Sequence, residues 1–295
     1  MKEPPVNKFP TEIFCHPYKG HEKKLKSALQ QQYCKFVRGT CVKPRKSEPE
    51  IKVGICSVGY KGDFLSEYTP VILCPQRFKE DAFFETIREK YLSDWDNVEW
   101  IPEVNIGVGG SVDYVAITRT ADGRIADFLC VEIQAAGTTG SPYQAVRDYK
   151  ECGCFKRDSY NYGINWANEF SKTMMQQAYK KGKIVEHWKR KIVFAVQDVA
   201  MDFIRSASNA SRLTTSDAKK PVDFCSFKLV WNEETAQWEL RFDSIASTDI
   251  EGVSLILGGA DVDCYPTEEE FILNIVKKGI SDNILNSELY KRLYF

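Results

Sequence analysis

Residues 112–135, VDYVAITRTADGRIADFLCVEIQA, constrain the fold more than any other stretch of the chain. Two apolar runs with period-2 alternation flank Asp122-Gly123, a dipeptide that favours a two-residue hairpin turn with positive φ at both central positions. The runs 112–116 and 128–134 are therefore predicted to be antiparallel strands. With Asp122 and Gly123 as the loop, Ala121 faces Arg124, and partner numbers keep a constant sum along the hairpin. Asp113 then falls opposite Glu132 on one face, with Cβ atoms roughly 4.5–5.5 Å apart. Gln134 lies one step further along that face, and Asp127 points to the other. A one-residue slip, such as a bulge gives, exchanges the two faces.

Two carboxylates this close repel unless a cation stands between them. One reading is a Mg²⁺ site. The other is that Glu132, in a strand as apolar as FLCVEIQ, is satisfied by a neighbouring Arg or Lys.

A chain of 295 residues can bury a full core, as one large domain or one and a half. Its start, MKEPPVNKFPTEIF, lacks the apolar run of a signal peptide, and no stretch has membrane-spanning length and apolarity. A cytoplasmic protein with no membrane partner is expected. In a reducing compartment ten cysteines point to metal rather than to a disulfide framework, and Cys15, Cys34, Cys41, Cys56 and Cys74 all fall in roughly the first quarter. The net charge of −1 argues against a non-specific nucleic-acid binder. Basic runs nevertheless occur at 23–26 (KKLK), 43–46 (KPRK) and 180–191 (KKGKIVEHWKRK), either as solvated faces or as phosphate contacts.

Along the chain, residues 1–77 read as a small metal-stapled module with one basic helix at 22–32. FKEDAFFETIREKY, residues 78–91, has apolar residues at helical spacing. Glycines cluster in NIGVGGS before the hairpin, and AAGTTGS after it leads to a short helix, SPYQAVRDYK, with proline at its first position. A further helix is predicted over 165–181, closed by Gly182, with Phe170, Met174 and Ala178 as its core stripe. A strand follows at 192–197. Strand, hairpin, helix, strand is an α/β fold, a mixed sheet flanked by helices with the paired acids near its middle, as in PD-(D/E)xK nucleases. Residues 78–205 form this core, and 206–295 are a C-terminal extension with strands at 224–231 and 238–245 and helices at 268–278 and 282–293, the last with Ser281 as N-cap.

The ordered set PTEIF, Cys34 with Cys41, GICSVG, ILCPQRF, VEIQAAGTTGS, YGINWAN and IVFAVQD resembles the NotI-type family of Type II restriction endonucleases over roughly the first two thirds of the chain. The resemblance implies a PD-(D/E)xK core of the ExQ variant, part of a restriction-modification system. Such a core cleaves both strands of double-stranded DNA at a short palindrome, as a homodimer with Mg²⁺. Its catalytic pattern carries over to Asp113, Glu132 and Gln134, and its four-cysteine iron site to Cys34, Cys41, Cys56 and Cys74, with Cys15 as an extra thiol. The tail after Ser206 carries no part of it.

In chemical terms Asp113 and Glu132 are the Mg²⁺ ligands, and Gln134 replaces the usual lysine, able to position a water but carrying no charge. Glu103 is a further acid, either a metal ligand or outer-shell group or simply structural. The cysteines contain no CxxC pair, so their spacing fits buried structural thiols as well as a closed four-thiolate site for zinc or iron; only the family resemblance selects iron. His16 and His21 are reserve ligands, and Cys152 and Cys154 are incidental. Two other functions compete with an endonuclease. One is a DNA-binding metalloprotein with an inactive nuclease core; the other is a metal-free carboxylate-pair hydrolase of sugars.

Overall fold

The computed structural model describes residues 2–45, 47–62, 65–206 and 210–258, with Glu268, Ile272 and Leu273, which are helical. The remainder of the helices expected at 268–278 and 282–293 lies outside the described residues. The chain divides into two compact units, Met1–Leu257 and Gly258–Phe295. All elements below belong to the first.

Strands β1 (Pro10–Ile13), β2 (His16–Pro17), β3 (Ile55–Tyr60) and β4 (Thr69–Ile72) form an antiparallel sheet in the order β2-β1-β3-β4. Helix α1 (Glu22–Gln31) buries Leu25, Ala28 and Leu29. The larger sheet contains β5 (Glu99–Asn105), β6 (Ser111–Arg119), β7 (Ile125–Ile133), β8 (Ile192–Gln197), β9 (Thr214–Thr215), β10 (Val222–Asn232) and β11 (Gln237–Thr248). Their order is β9-β11-β10-β8-β7-β6-β5, with β7, β8 and β10 parallel and every other pair antiparallel. The mixed α/β class expected from the sequence is the class observed. Period-2 alternation splits the sheet's apolar residues between two cores. On one face Ala116, Leu129 and Val131 pack with Phe83 and Ile87 of helix α2 (Asp81–Tyr91). On the other, Val115, Ile117 and Cys130 share a core with Met175, Ala178 and Val185 of helix α4 (Met175–His187). Helix α3 (Tyr143–Cys152) lies between β7 and α4 in sequence, and α5 (Asp198–Ser206) and α6 (Ile250–Ile256) follow β8 and β11. No helix among the described residues is long and apolar enough to cross a membrane.

Three local expectations are corrected. The hairpin turn has three residues, Ala121, Asp122 and Gly123: only Gly123 has positive φ, and the Gly123 N–H donates to the Thr120 carbonyl. That loop pairs Arg119 with Ile125, one step out of the predicted frame, and an irregularity between Thr118 and Arg119 restores Thr118↔Asp127 and every pair up to Tyr114↔Val131. Two one-residue deviations thus cancel, and the predicted constant sum holds through the body of the hairpin. Gly182 does not close a helix. The chain runs as a π-helical stretch, Ala167–Met174, into α4 and passes through Gly182, where a Cβ would come within 2.6 Å of Ile250 and 2.8 Å of Val222. Glycine is needed there for close helix packing. Pro142 sits one residue earlier than predicted, at the N-cap of α3.

The segment between the two sheets is held by a fully buried arginine. Arg77 Nε bonds Glu12 Oε2 at 2.9 Å, its Nη1 lies 2.8 Å from Glu80 Oε1, and its Nη2 donates to the Trp238 carbonyl at 2.7 Å. Glu12 is also the acceptor for Ser57 Oγ, and Glu80 for the Leu240 N–H. One guanidinium therefore ties β1, the entry to α2 and β11 together. Removing one partner of such a pair strands a buried charge, at a cost of about 3–5 kcal/mol. Arg77→Met should lower stability in urea by that order, and adding Glu12→Gln to it should recover part of the loss. A double variant as unstable as the sum of the two singles would show that the pair is not coupled.

Candidate active site

The register of β6 and β7 continues beyond Tyr114↔Val131 to bring Asp113 beside Glu132. There the ladder gives way to side chains: the Ile133 N–H donates to Asp113 Oδ2 at 2.8 Å. In return the backbone N–H of Asp113 faces the Glu132 carboxylate. Each acid is held by the other's strand. Asp113 is partly exposed and Glu132 is buried, 6% exposed. Gln134 follows the end of β7; its N–H donates to the Ala195 carbonyl at 2.9 Å and its side-chain amide to the Ala135 carbonyl at 3.1 Å. Glu103 occupies the position of β5 opposite Asp113, between the pairs Val112↔Val104 and Tyr114↔Pro102, exposed and with left-handed backbone at φ 54°. Asp127 points away, as expected, and is ion-paired with Arg190 at 2.6 Å.

The residue missed in sequence is Lys181. It is 3% exposed, and its Nζ lies 2.5 Å from Glu132 Oε1, 2.7 Å from the Ser111 carbonyl and 3.1 Å from Gln177 Oε1. An ammonium has three N–H donors, and here all three are used. Lys181 reaches this position because the NIGVGGS loop closes over it: a Cβ at Gly109 would come within 3.1 Å of the Lys181 stem. Burial pushes the Glu132 carboxyl up to about 7, against the pull of Lys181 and with a further push from Asp113. The sequence did carry one signal, the alternative that a Glu in this strand needs a neighbouring Lys. It could not say which.

Cys34, Cys41, Cys56 and Cys74 are all buried, and so is Cys15, which sequence reading had set aside. Cys15 Sγ stands 3.5 Å from Cys34 Sγ, and the Cys15 N–H donates to Cys56 Sγ at 3.3 Å from a turn with positive φ at Phe14 and Cys15. Burial raises the Cys74 thiol, and the nearby Cys41 and Cys34 raise it further. The donor chemistry suits a thiophilic ion. Among the described residues, however, no group of three or more His, Cys, Asp or Glu side chains stands in a metal-binding arrangement. His16 and His21 stack on each other, and His21 bonds the Thr235 carbonyl. Cys152 and Cys154 are exposed and 3.2 Å apart.

Residues 23–240 match the model of the restriction endonuclease NotI family, most of the chain and well past Ser206, where the resemblance read from sequence stopped. The match takes in all of β10 and the start of β11. No curated protein matches the chain. The chain belongs to the NotI restriction endonuclease family and is thereby a Type II site-specific deoxyribonuclease, acting on double-stranded DNA.

Proposed function

We propose that Asp113 and Glu132 hold a catalytic Mg²⁺ in a PD-(D/E)xK site of the ExQ kind, and that the chain cuts both strands of a short palindrome as a homodimer in the cytoplasm. The observation that carries this is the interlocked acid pair: one half-open carboxylate and one buried carboxylate at the end of β7, with a cation already drawn to them. Two oxygen ligands with room for water and phosphate suit a hard divalent ion. When bound, that ion supplies charge neutralisation on the phosphate and acidifies a water. Asp113, the more accessible acid, faces the substrate side. Gln134 orients the attacking water through its amide, and Lys181 supplies the positive charge that glutamine cannot. Glu103 is the additional acid beside Asp113. Residues 1–77, 78–205 and 206–295 serve as metal-binding module, nuclease core and extension. A palindrome offers two equivalent scissile phosphates, and a twofold dimer presents one acid pair to each.

Asp113→Ala and Glu132→Ala should each abolish cleavage of cognate DNA while leaving gel-shift affinity within a few-fold of wild type. Cutting by either variant near the wild-type rate would remove both residues from the chemistry, and a wild-type chain that binds DNA but never cuts it with Mg²⁺ would favour the inactive-core alternative.

Lys181→Met tests the counter-charge separately. Without Lys181, burial holds the proton on Glu132 still more strongly. A group whose folded pKa is raised stabilises the fold below its unfolded pKa, and that contribution is lost as pH rises through the folded value. The variant should therefore follow the pH dependence of wild type up to about pH 7, where both hold the proton, and fall progressively behind it above that, by about 1.4 kcal/mol per pH unit, in metal-free buffer. Denaturant melts across this range give the answer; a deficit that does not change with pH means the lysine acts only by packing.

The buried thiols are the ligands of a structural iron or zinc in this reading, drawn from Cys34, Cys41, Cys56 and Cys74, as the family implies. A thiolate-held ion contributes directly to folding free energy. Elemental analysis should find one iron or zinc per chain, lost together with fold stability in Cys41→Ser. A metal-free protein with normal stability overturns it.

A further inference from the structure

The basic run at 180–191 is split by the fold. Lys181 turns to Glu132, whereas Lys189, Arg190 and Lys191 emerge at the opposite end of the sheet beside Lys219 and Lys220 from the loop before β10. They line a concavity of about 690 Å³, with half-buried Trp95 in its wall and six cationic side chains against three carboxylates. Two of those carboxylates are already matched, Asp127 by Arg190 at 2.6 Å and Asp223 by Lys191 at 2.8 Å. Among the described residues, the ammonium groups of Lys189 and Lys219 have neither ion pair nor hydrogen bond, and that of Lys220 reaches only the Arg212 carbonyl at 3.5 Å.

Lys189 is held in this place at some expense. The Arg190 N–H closes onto the Val185 carbonyl and the Lys189 N–H onto that of Glu186, the turn that usually ends a helix on glycine. Lys189 takes the left-handed position at φ 56°, which is disfavoured for a residue with a Cβ. A chain with net charge −1 thus gathers cations from three distant segments, Lys90, residues 189–191 and residues 219–220, into one hollow. From Asp127, at its rim, to Glu132 is about 17 Å along β7, so this hollow is distinct from the acid pair.

We propose that this hollow is a second DNA contact, in which Lys189, Lys219 and Lys220 grip backbone phosphates outside the cleaved site and Trp95 offers a flat apolar wall. Lysine suits this task as a sequence-independent point charge on phosphate. The test is K189A/K219A/K220A, which leaves the paired Arg190 and Lys191 in place. For a long duplex, the slope of log affinity against log salt should fall by about 2–3, near 0.9 per lost phosphate contact, with affinity about tenfold weaker or more. Binding and cutting of a short cognate duplex that ends just beyond the cleavage site should match wild type. An unchanged slope on long DNA overturns the proposal. So does an equal loss on the short duplex, which would place these lysines at the cleavage site. Inorganic phosphate and a nucleoside triphosphate, titrated separately, distinguish a pocket for free phosphates: protection of Lys189 from acylation by either, with the DNA slope unchanged, also overturns it.

Discussion

Everything around the acid pair follows from the cost of placing Glu132 in a buried strand. A carboxylate removed from water needs a positive partner, or it keeps its proton. The partner comes from α4, so the helix must pass close enough to the sheet for a lysine stem to reach. Gly182 lets the helix approach Val222 and Ile250, and Gly109 lets the preceding loop lie against Lys181. The parallel β7 to β8 crossover is what carries a helix over that face at all. Sheet order, helix placement and two glycines therefore answer to one charge.

The N-terminal sheet shares the apolar cores of the larger one and is tied to it by polar groups as well. Arg77 links Glu12, Glu80 and Trp238, and Gln197 on β8 bonds both the Ile72 N–H and the Pro70 carbonyl of β4 at 2.7 Å. The Ala136 N–H adds a bond to the Ile72 carbonyl just after Gln134. These contacts fix the chain immediately downstream of the site. Directional bonds at a junction set an angle in a way that apolar contact cannot, because hydrophobic burial is non-directional.

Much of the architecture was legible because period-2 alternation is a strong signal where one face of a strand is buried. The hairpin, β8 and the pair β10 and β11 were all foreseen. What escaped depended on space rather than pattern. Gly182 looks like a helix stop in sequence, and only the packing of Ile250 and Val222 shows why the helix continues. Lys181 sits in a basic run whose plain reading is a solvated face, and Lys180 and Lys183 on either side of it are exposed. Cys15 follows a strand with no partner cysteine at metal spacing, yet a tight turn carries its sulfur to Cys34. The four-strand sheet of the first 77 residues was hidden because its strands are short and far apart in sequence.

The three-residue turn and the irregularity beside Thr118 belong together, because each alone would reverse the pleat. The hairpin has, in effect, a parity. A single residue gained or lost between Thr118 and Asp127 changes an even offset to an odd one, turning Glu132 to the α2 side and leaving Lys181 facing an apolar side chain. Two changes of length restore the frame, whatever their chemistry. Drift in this loop is therefore expected to proceed in pairs, and the tip can vary freely in sequence while its length stays bound to a site some five residues away.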